Sequence, residues 1–193
     1  MLNEVPLFPL NSIIFPGGRL PLRLFEPRYL DMVANALRQQ TGFVIVLIKE
    51  GNEVGQPCEF YSTGTLVKII DFSAREDGLL GITVEGTQKV TVTQFTRQSD
   101  GLYVGALSGV DQESFMPVQE RFCELVDLLQ ALSRHPAVSD LALEIDYQDS
   151  RDVGWRLTEL LPLARKEKQY LFELEDPVYR LEQIRGLLSI LQE

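Results

Sequence analysis

Apolar residues alternate with polar ones as far as about Val110 and recur every three to four positions beyond it. The first spacing fits strands, whose successive side chains point to opposite faces, and the second fits helices with one buried stripe. Val5, Leu7 and Phe8 lead into Pro9, and Leu20, Leu22 and Leu24 alternate with Pro21 and Arg23, which predicts short strands with one face covered. Residues 43–48 form an unbroken Phe/Val/Ile/Leu run between Gly42 and Gly51, the pattern of a strand buried on both faces. Residues 63–70, 79–95 and 102–107 are rich in β-branched side chains and are separated by turn formers at 75–78 and 99–101. Six or more strands at this spacing predict a barrel or a folded-over sheet.

One helix interrupts the strands at residues 27–39, with Leu30, Val33, Ala34 and Leu37 as its buried stripe. Pro27 suits the first helical position, where an N–H would be unpaired anyway. Glu26 puts a carboxylate at the positive end of the helix dipole, and Gly42 is expected to close the element. Past Val110 the pattern is helical throughout. Val118, Phe122, Leu125, Leu129 and Leu132 line a helix that stops before Pro136, and a second begins near Asp152 and buries Val153, Leu157, Leu160 and Leu161. Residues 166–174 predict a third helix. Residues 177–191 predict a fourth, with Val178, Leu181, Ile184, Leu188 and Leu191 on one stripe. The change of period divides the chain into a strand-rich part, 1–110, and a helical part, 111–193.

Charge sharpens that division. Of 18 Lys and Arg and 28 Asp and Glu, residues 1–110 carry 9 and 11 and the remainder 9 and 17, so an excess of −2 becomes −8. A net charge of −10 counts against nucleic acid as a partner. The densest basic cluster, Arg165, Lys166 and Lys168, reads as a solvated helix end. The longest apolar run is six residues against the roughly 20 a membrane span needs. Glu4 and three early prolines occupy the place of a signal peptide's basic start and apolar core, so the expected location is cytoplasmic.

Catalytic constellations are scarce. His135 is the only histidine, and with Cys58 and Cys123 it falls short of four zinc ligands at any familiar spacing. Cys123 and His135 are twelve residues apart on what reads as one helix, too far for a dyad. They read instead as a buried thiol and a capping imidazole near a helix C-terminus. No Gly-Lys pair exists, so there is no Walker A loop, and Pro16, Gly17 and Gly18 form a turn that leads toward a strand. No metal or cofactor is expected.

Three stretches share a pattern with one known family. Pro6-Leu7-Phe8-Pro9-Leu10, then Phe15-Pro16-Gly17-Gly18, then Leu22-Arg23-Leu24-Phe25-Glu26-Pro27-Arg28-Tyr29-Leu30 resembles the N-terminal, substrate-binding domain of the ATP-dependent Lon protease. Val84-Glu85-Gly86, followed by Lys89, is similar to its V-x-G-x-x-R strand, with Lys for the usual Arg. Lys168-Gln169-Tyr170-Leu171-Phe172-Glu173 and Arg180-Leu181 resemble its KQ-x-LLE…RL helices. The resemblance spans essentially the whole chain. It implies an α+β fold: a PUA-like β pseudobarrel with one enclosed helix over 1–110, then an α-helical bundle over 111–193.

The resemblance also implies a non-enzymatic module that recognises protein or peptide segments, such as unfolded clients of a protease or the protease itself. ATP hydrolysis and peptide cleavage belong to later Lon domains. With no Walker A loop and no room for the Ser–Lys proteolytic domain before Glu193, a stand-alone bacterial version is expected. Candidate peptide-contacting residues are Phe15, Arg23, Glu26, Arg28 and Trp155. Arg23, Glu26 and Arg28 also suit an ion-pair network at the strand-to-helix corner, and Phe15 and Trp155 suit core positions. Two other readings stay open. One is a small hydrolase whose turnover would respond to changes at serine, Cys58 or His135. The other is an RNA-binding module, as other PUA-like folds are, which the charge opposes.

Overall fold

The computed structural model describes residues 4–53, 57–74, 79–109 and 113–191. The predicted turn at 75–78, residues 110–112 of the predicted boundary and the side chain of Leu191 lie outside them. Two compact units are formed, Met1–Val110 and Asp111–Glu193.

In the first unit, alternation along two strands supplies two cores. On β1 (Val5–Leu10) and β3 (Phe43–Glu50), Phe8, Leu10, Phe43 and Ile45 face one way, and Leu7, Val44 and Val46 face the other. That double burial explains the unbroken apolar run. With β2 (Arg19–Leu24), β4 (Glu59–Ala74), β5 (Leu80–Arg97) and β6 (Tyr103–Gly109), these strands form one mixed sheet in the order β2-β5-β4-β3-β1-β6. Only β1 and β3 run parallel among the recorded pairs.

The length of β5 lets the sheet turn back on itself. Its first half pairs with β2 and β4, and Val90 to Arg97 pair with β6, which already pairs with β1. A register shift between Val92 and Gln94 supplies an irregularity of the kind that bends a strand. The Pro16–Gly18 turn is stitched to β5 at Gly86: Gly17 N–H donates to the Gly86 carbonyl (2.8 Å), and Gly86 N–H donates to the Gly18 carbonyl (2.9 Å). A Cβ at Gly86 would lie 2.2 Å from the Phe15 carbonyl oxygen, so only glycine fits this crossing.

Helix α1 (Pro27–Gln39) covers the Phe8 face of the sheet. Its buried positions are Arg28, Tyr29, Met32, Val33 and Ala36, whereas Leu30 is half-buried and Ala34 and Leu37 are exposed. The expected stripe is thus turned by about one position. The Tyr29 ring stacks 4.0 Å from Phe8 and claims the core-facing side. Gln40, not Gly42, closes the helix: it adopts the left-handed conformation (φ 55°), and Thr41 N–H donates to the Ala36 carbonyl at 3.0 Å.

The second unit is helical, with α2 (Cys123–Ser133), α3 (Pro136–Ser139), α4 (Ser150–Leu160), α5 (Arg165–Glu173) and α6 (Pro177–Leu191). Its core joins Phe122, Leu125, Leu129, Val153, Leu157, Leu171, Leu181 and Ile184. The first helix starts later than its periodicity predicts. Val118 N–H is drawn to the Gln148 carbonyl (3.0 Å), and a 3-10 turn at Glu120–Phe122 precedes α2. Helix α4 starts earlier, because Asp149 caps it by accepting from Arg151 N–H at 2.9 Å.

Two corrections concern candidate chemistry. Cys123 is exposed at the head of α2 instead of buried. The His135 imidazole caps the start of α3, its Nδ1 accepting from Ala137 N–H at 3.3 Å, and the residue reaches the end of α2 through its backbone N–H, which donates to the Leu132 carbonyl at 3.1 Å. Proline at the first position of α3 makes that start available, which is why the chain turns helical again where a stop was expected.

Candidate functional site

A groove of about 1010 Å³ runs along α1 in the first unit. It exists because β5 outlasts its cover. Opposite residues of a strand pair share a face, so Gln94 with Ala106 and Thr96 with Val104 continue the α1-facing side of the sheet. There the sequence turns polar. Gln94, Thr96 and Gln98 form one wall, and Arg28, Asp31, Asn35 and Gln39 of α1 form the other. Met32, Ala36, Val104 and Ala106 line the apolar part, and Val5 and Pro6 come from the start of β1; the Phe95 ring turns to the opposite face, 4.7 Å from Phe60 and 6.0 Å from Tyr103.

Arg28 fixes one end. The residue is 8% exposed, and its guanidinium makes three contacts. Nη1 donates to the Gly101 carbonyl at 2.7 Å, Nη2 pairs with the Glu26 carboxylate at 2.8 Å, and the guanidinium lies 4.6 Å from the Tyr29 ring centroid. The β5–β6 turn is thereby tied to the first turn of α1. Gly101 makes this approach feasible: its φ is +90°, and a Cβ there would come within 3.0 Å of Arg28 Nη1. Burial pushes the Tyr29 hydroxyl well above the usual phenol range.

The remaining lining charges are acidic. Glu4, Asp31 and Asp100 are exposed, whereas the positive charge of Arg28 is matched by Glu26. Asp100 also accepts from Leu102 N–H at 2.9 Å, and Arg38 Nη1 donates to Asn35 at 3.1 Å beside the wall. Side-chain amides donate and accept at once, so both walls can pair with the backbone of an extended segment. Neither histidine nor cysteine lines the groove, and no group of three or more potential metal ligands occurs among the described residues.

Of the five candidate residues, only Glu26 and Arg28 are brought together, and only Arg28 lines the groove. Arg23 is exposed on β2 and takes no part in their ion pair. Phe15 is wholly buried behind the turn that meets Gly86, so its ring presents no surface to a ligand. Trp155 belongs to the second unit, 8% exposed on α4, with the Arg151 and Arg180 guanidinia 5.5 and 5.8 Å from its ring centroid. The groove walls Asp31, Asn35, Gln39, Gln94, Thr96 and Gln98 were missed by sequence reasoning. Their one signal was the run of polar residues on alternate positions 94, 96 and 98 at the end of an otherwise apolar strand.

The other reactive side chains are dispersed. Cys58 is half-buried on the first unit, its N–H donating to the Tyr103 hydroxyl at 3.1 Å, and burial pushes its thiol up. Cys123 and His135 flank α2, whose eleven residues span about 16 Å.

Residues 4–189 match the family described as the ATP-dependent protease La (LON) substrate-binding domain. The chain belongs to this family. Its fold is that of a Lon N-terminal domain protein from Xanthomonas campestris, a crystal structure with a TM-score of 0.80 and 32% identity, covering 95% of this chain and 98% of that one. The N-terminal domain of a Mycobacterium avium complex Lon protease shares the fold at a TM-score of 0.69 and 17% identity, covering 97% and 98%. A Lon protease from Endomicrobium trichonymphae is 25% identical over 97% of this chain and 24% of its own length. The chain therefore spans about a quarter of that relative, and the match lies within the substrate-binding domain.

Several residues shared with the Lon pattern are architectural in this domain. Gly86 admits the Phe15 carbonyl, as described above. Lys168 Nζ donates to the Glu159 carbonyl (2.7 Å), and buried Gln169 donates to Glu173 (2.8 Å). Arg180 Nε donates to the Leu171 carbonyl at 2.9 Å, Nη2 donates to the Leu174 carbonyl, and Nη1 and Nη2 clasp the Glu113 carboxylate at 2.7 and 2.6 Å. That side chain caps the end of α5. No described helix is long and apolar enough to cross a membrane.

Proposed function

We propose that this Lon-type domain is a non-enzymatic module that binds extended protein segments, as in unfolded clients, and presents them to a protease. The match of residues 4–189 to a substrate-binding domain carries this reading. The groove along α1 supports it, with apolar side chains suited to a client's side chains and amides on both walls suited to its backbone. On this reading the strand-rich unit is a PUA-like pseudobarrel enclosing α1, the helical unit is a bundle, and the module works in the cytoplasm.

The test is fluorescence anisotropy with a labelled, permanently unfolded protein added to the purified chain without ATP, with the label followed for hours. Saturable binding at micromolar concentration with an intact label is expected. Absence of binding would refute segment recognition. Cleavage that survives repurification would refute the non-enzymatic role.

A further inference from the structure

We infer that the groove along α1 selects segments in which apolar side chains are flanked by lysine or arginine. This rests on the segment-binding reading above and adds the class of segment. Its three exposed lining charges, Glu4, Asp31 and Asp100, are all carboxylates. The one lining cation, Arg28, is buried and already held by Glu26; of the nearby cations, Arg38 is directed to Asn35, and Arg97, beside Gly101, lies over the Tyr103 ring at 5.9 Å. An occupant with acidic flanks meets repulsion at the rim, whereas one with basic flanks is drawn to it.

Size and chemistry limit the occupant further. Arg28 to Gln39 on α1 covers about 17 Å at 1.5 Å per residue, which matches about five residues of extended chain at 3.3 Å each. Such a segment places one or two apolar side chains against Ala36, Val104 and Ala106. Its backbone lies between the amides of Asn35 and Gln39 and those of Gln94 and Gln98. A lysine or arginine at either end then reaches the carboxylates of the rim. A nucleic-acid strand is disfavoured by the same carboxylates.

The experiment compares three labelled seven-residue peptides with the same leucine–phenylalanine–leucine centre and with lysine, serine or glutamate flanks. At low salt the lysine-flanked peptide is expected to bind about tenfold more tightly than the glutamate-flanked one, with the gap closing as salt is added. The whole chain is acidic, so preference alone does not locate the site. Asp31→Lys supplies the location: it should shrink the preference for lysine over glutamate flanks severalfold. Asp127→Lys on the second unit changes net charge equally and should leave the ranking intact. Equal binding of all three peptides, or equal effects of the two substitutions, would overturn the inference and leave segment binding standing. No binding of any peptide would overturn both.

Discussion

Replacing Arg28 by methionine tests whether this one side chain holds the end of the groove. The aliphatic stem is kept, while two charge-assisted contacts vanish: Nη1 to the Gly101 carbonyl at 2.7 Å and Nη2 to Glu26 at 2.8 Å. Gly101 is buried, so its carbonyl loses a donor that water cannot readily replace, a cost of about 1–3 kcal/mol. The partly exposed pair with Glu26 adds up to about 1 kcal/mol, and loss of the cation above Tyr29 adds a similar amount. Together these give about 2–4 kcal/mol, concentrated on the β5–β6 turn. The turn's own hydrogen bonds, Gln98 N–H to the Leu102 carbonyl (2.8 Å) and Gly101 N–H to the Gln98 carbonyl (2.9 Å), would then open more often. Hydrogen exchange reads this directly. Protection of the Gln98 and Gly101 amides should fall roughly thirty- to a thousandfold at 1.36 kcal/mol per decade. Glu26→Gln, which keeps the Gly101 contact, should lower it less than tenfold. A change under threefold in Arg28→Met, or equal losses in the two variants, would refute the clamp.

Arg180→Met should destabilise the helical unit by about 3–5 kcal/mol, because it removes the two-pronged ion pair from the buried Glu113 carboxylate and the donors from two carbonyls at the end of α5. Melting followed by the fluorescence of Trp155, the only tryptophan, should move down by about 12 °C or more, and adding Glu113→Leu should restore at least half of that. Equal melting of the single and double variants would contradict it. Burial pushes the Asp152 carboxyl above its ordinary 3.8, against the pull of Asp146 N–H and Arg156. Its contribution to stability is therefore fully present below the unfolded value and is lost as pH rises through the higher folded one. Urea midpoints from pH 4 to 7 should favour the wild type over Asp152→Asn most at the acid end. A flat or opposite trend in that difference would refute the sign.

What the sequence made legible follows from what its periodicity encodes. Alternation reports which way side chains point, so the strands, the doubly buried 43–48 run and the change to helices after Val110 could be read directly. It does not report which of two adjacent stripes a helix buries when both are apolar enough. On α1 the choice was made by Tyr29 against Phe8, a contact between elements 21 residues apart. It also reads arginine as solvent-facing, yet Arg28 is buried and Arg156 and Arg180 are wholly so, each gripping a carboxylate. Such residues organise corners and helix ends through partners that no local window contains. The Glu26–Arg28 corner was legible as an ion pair because its members lie two positions apart. The opposite wall was not, since Gln94, Thr96 and Gln98 look like the fraying end of a strand until β6 pairs with them and holds them beside α1. A groove assembled from a strand's uncovered end is invisible to periodicity for the same reason that it stays open: its polar positions are those the fold itself leaves without a packing role.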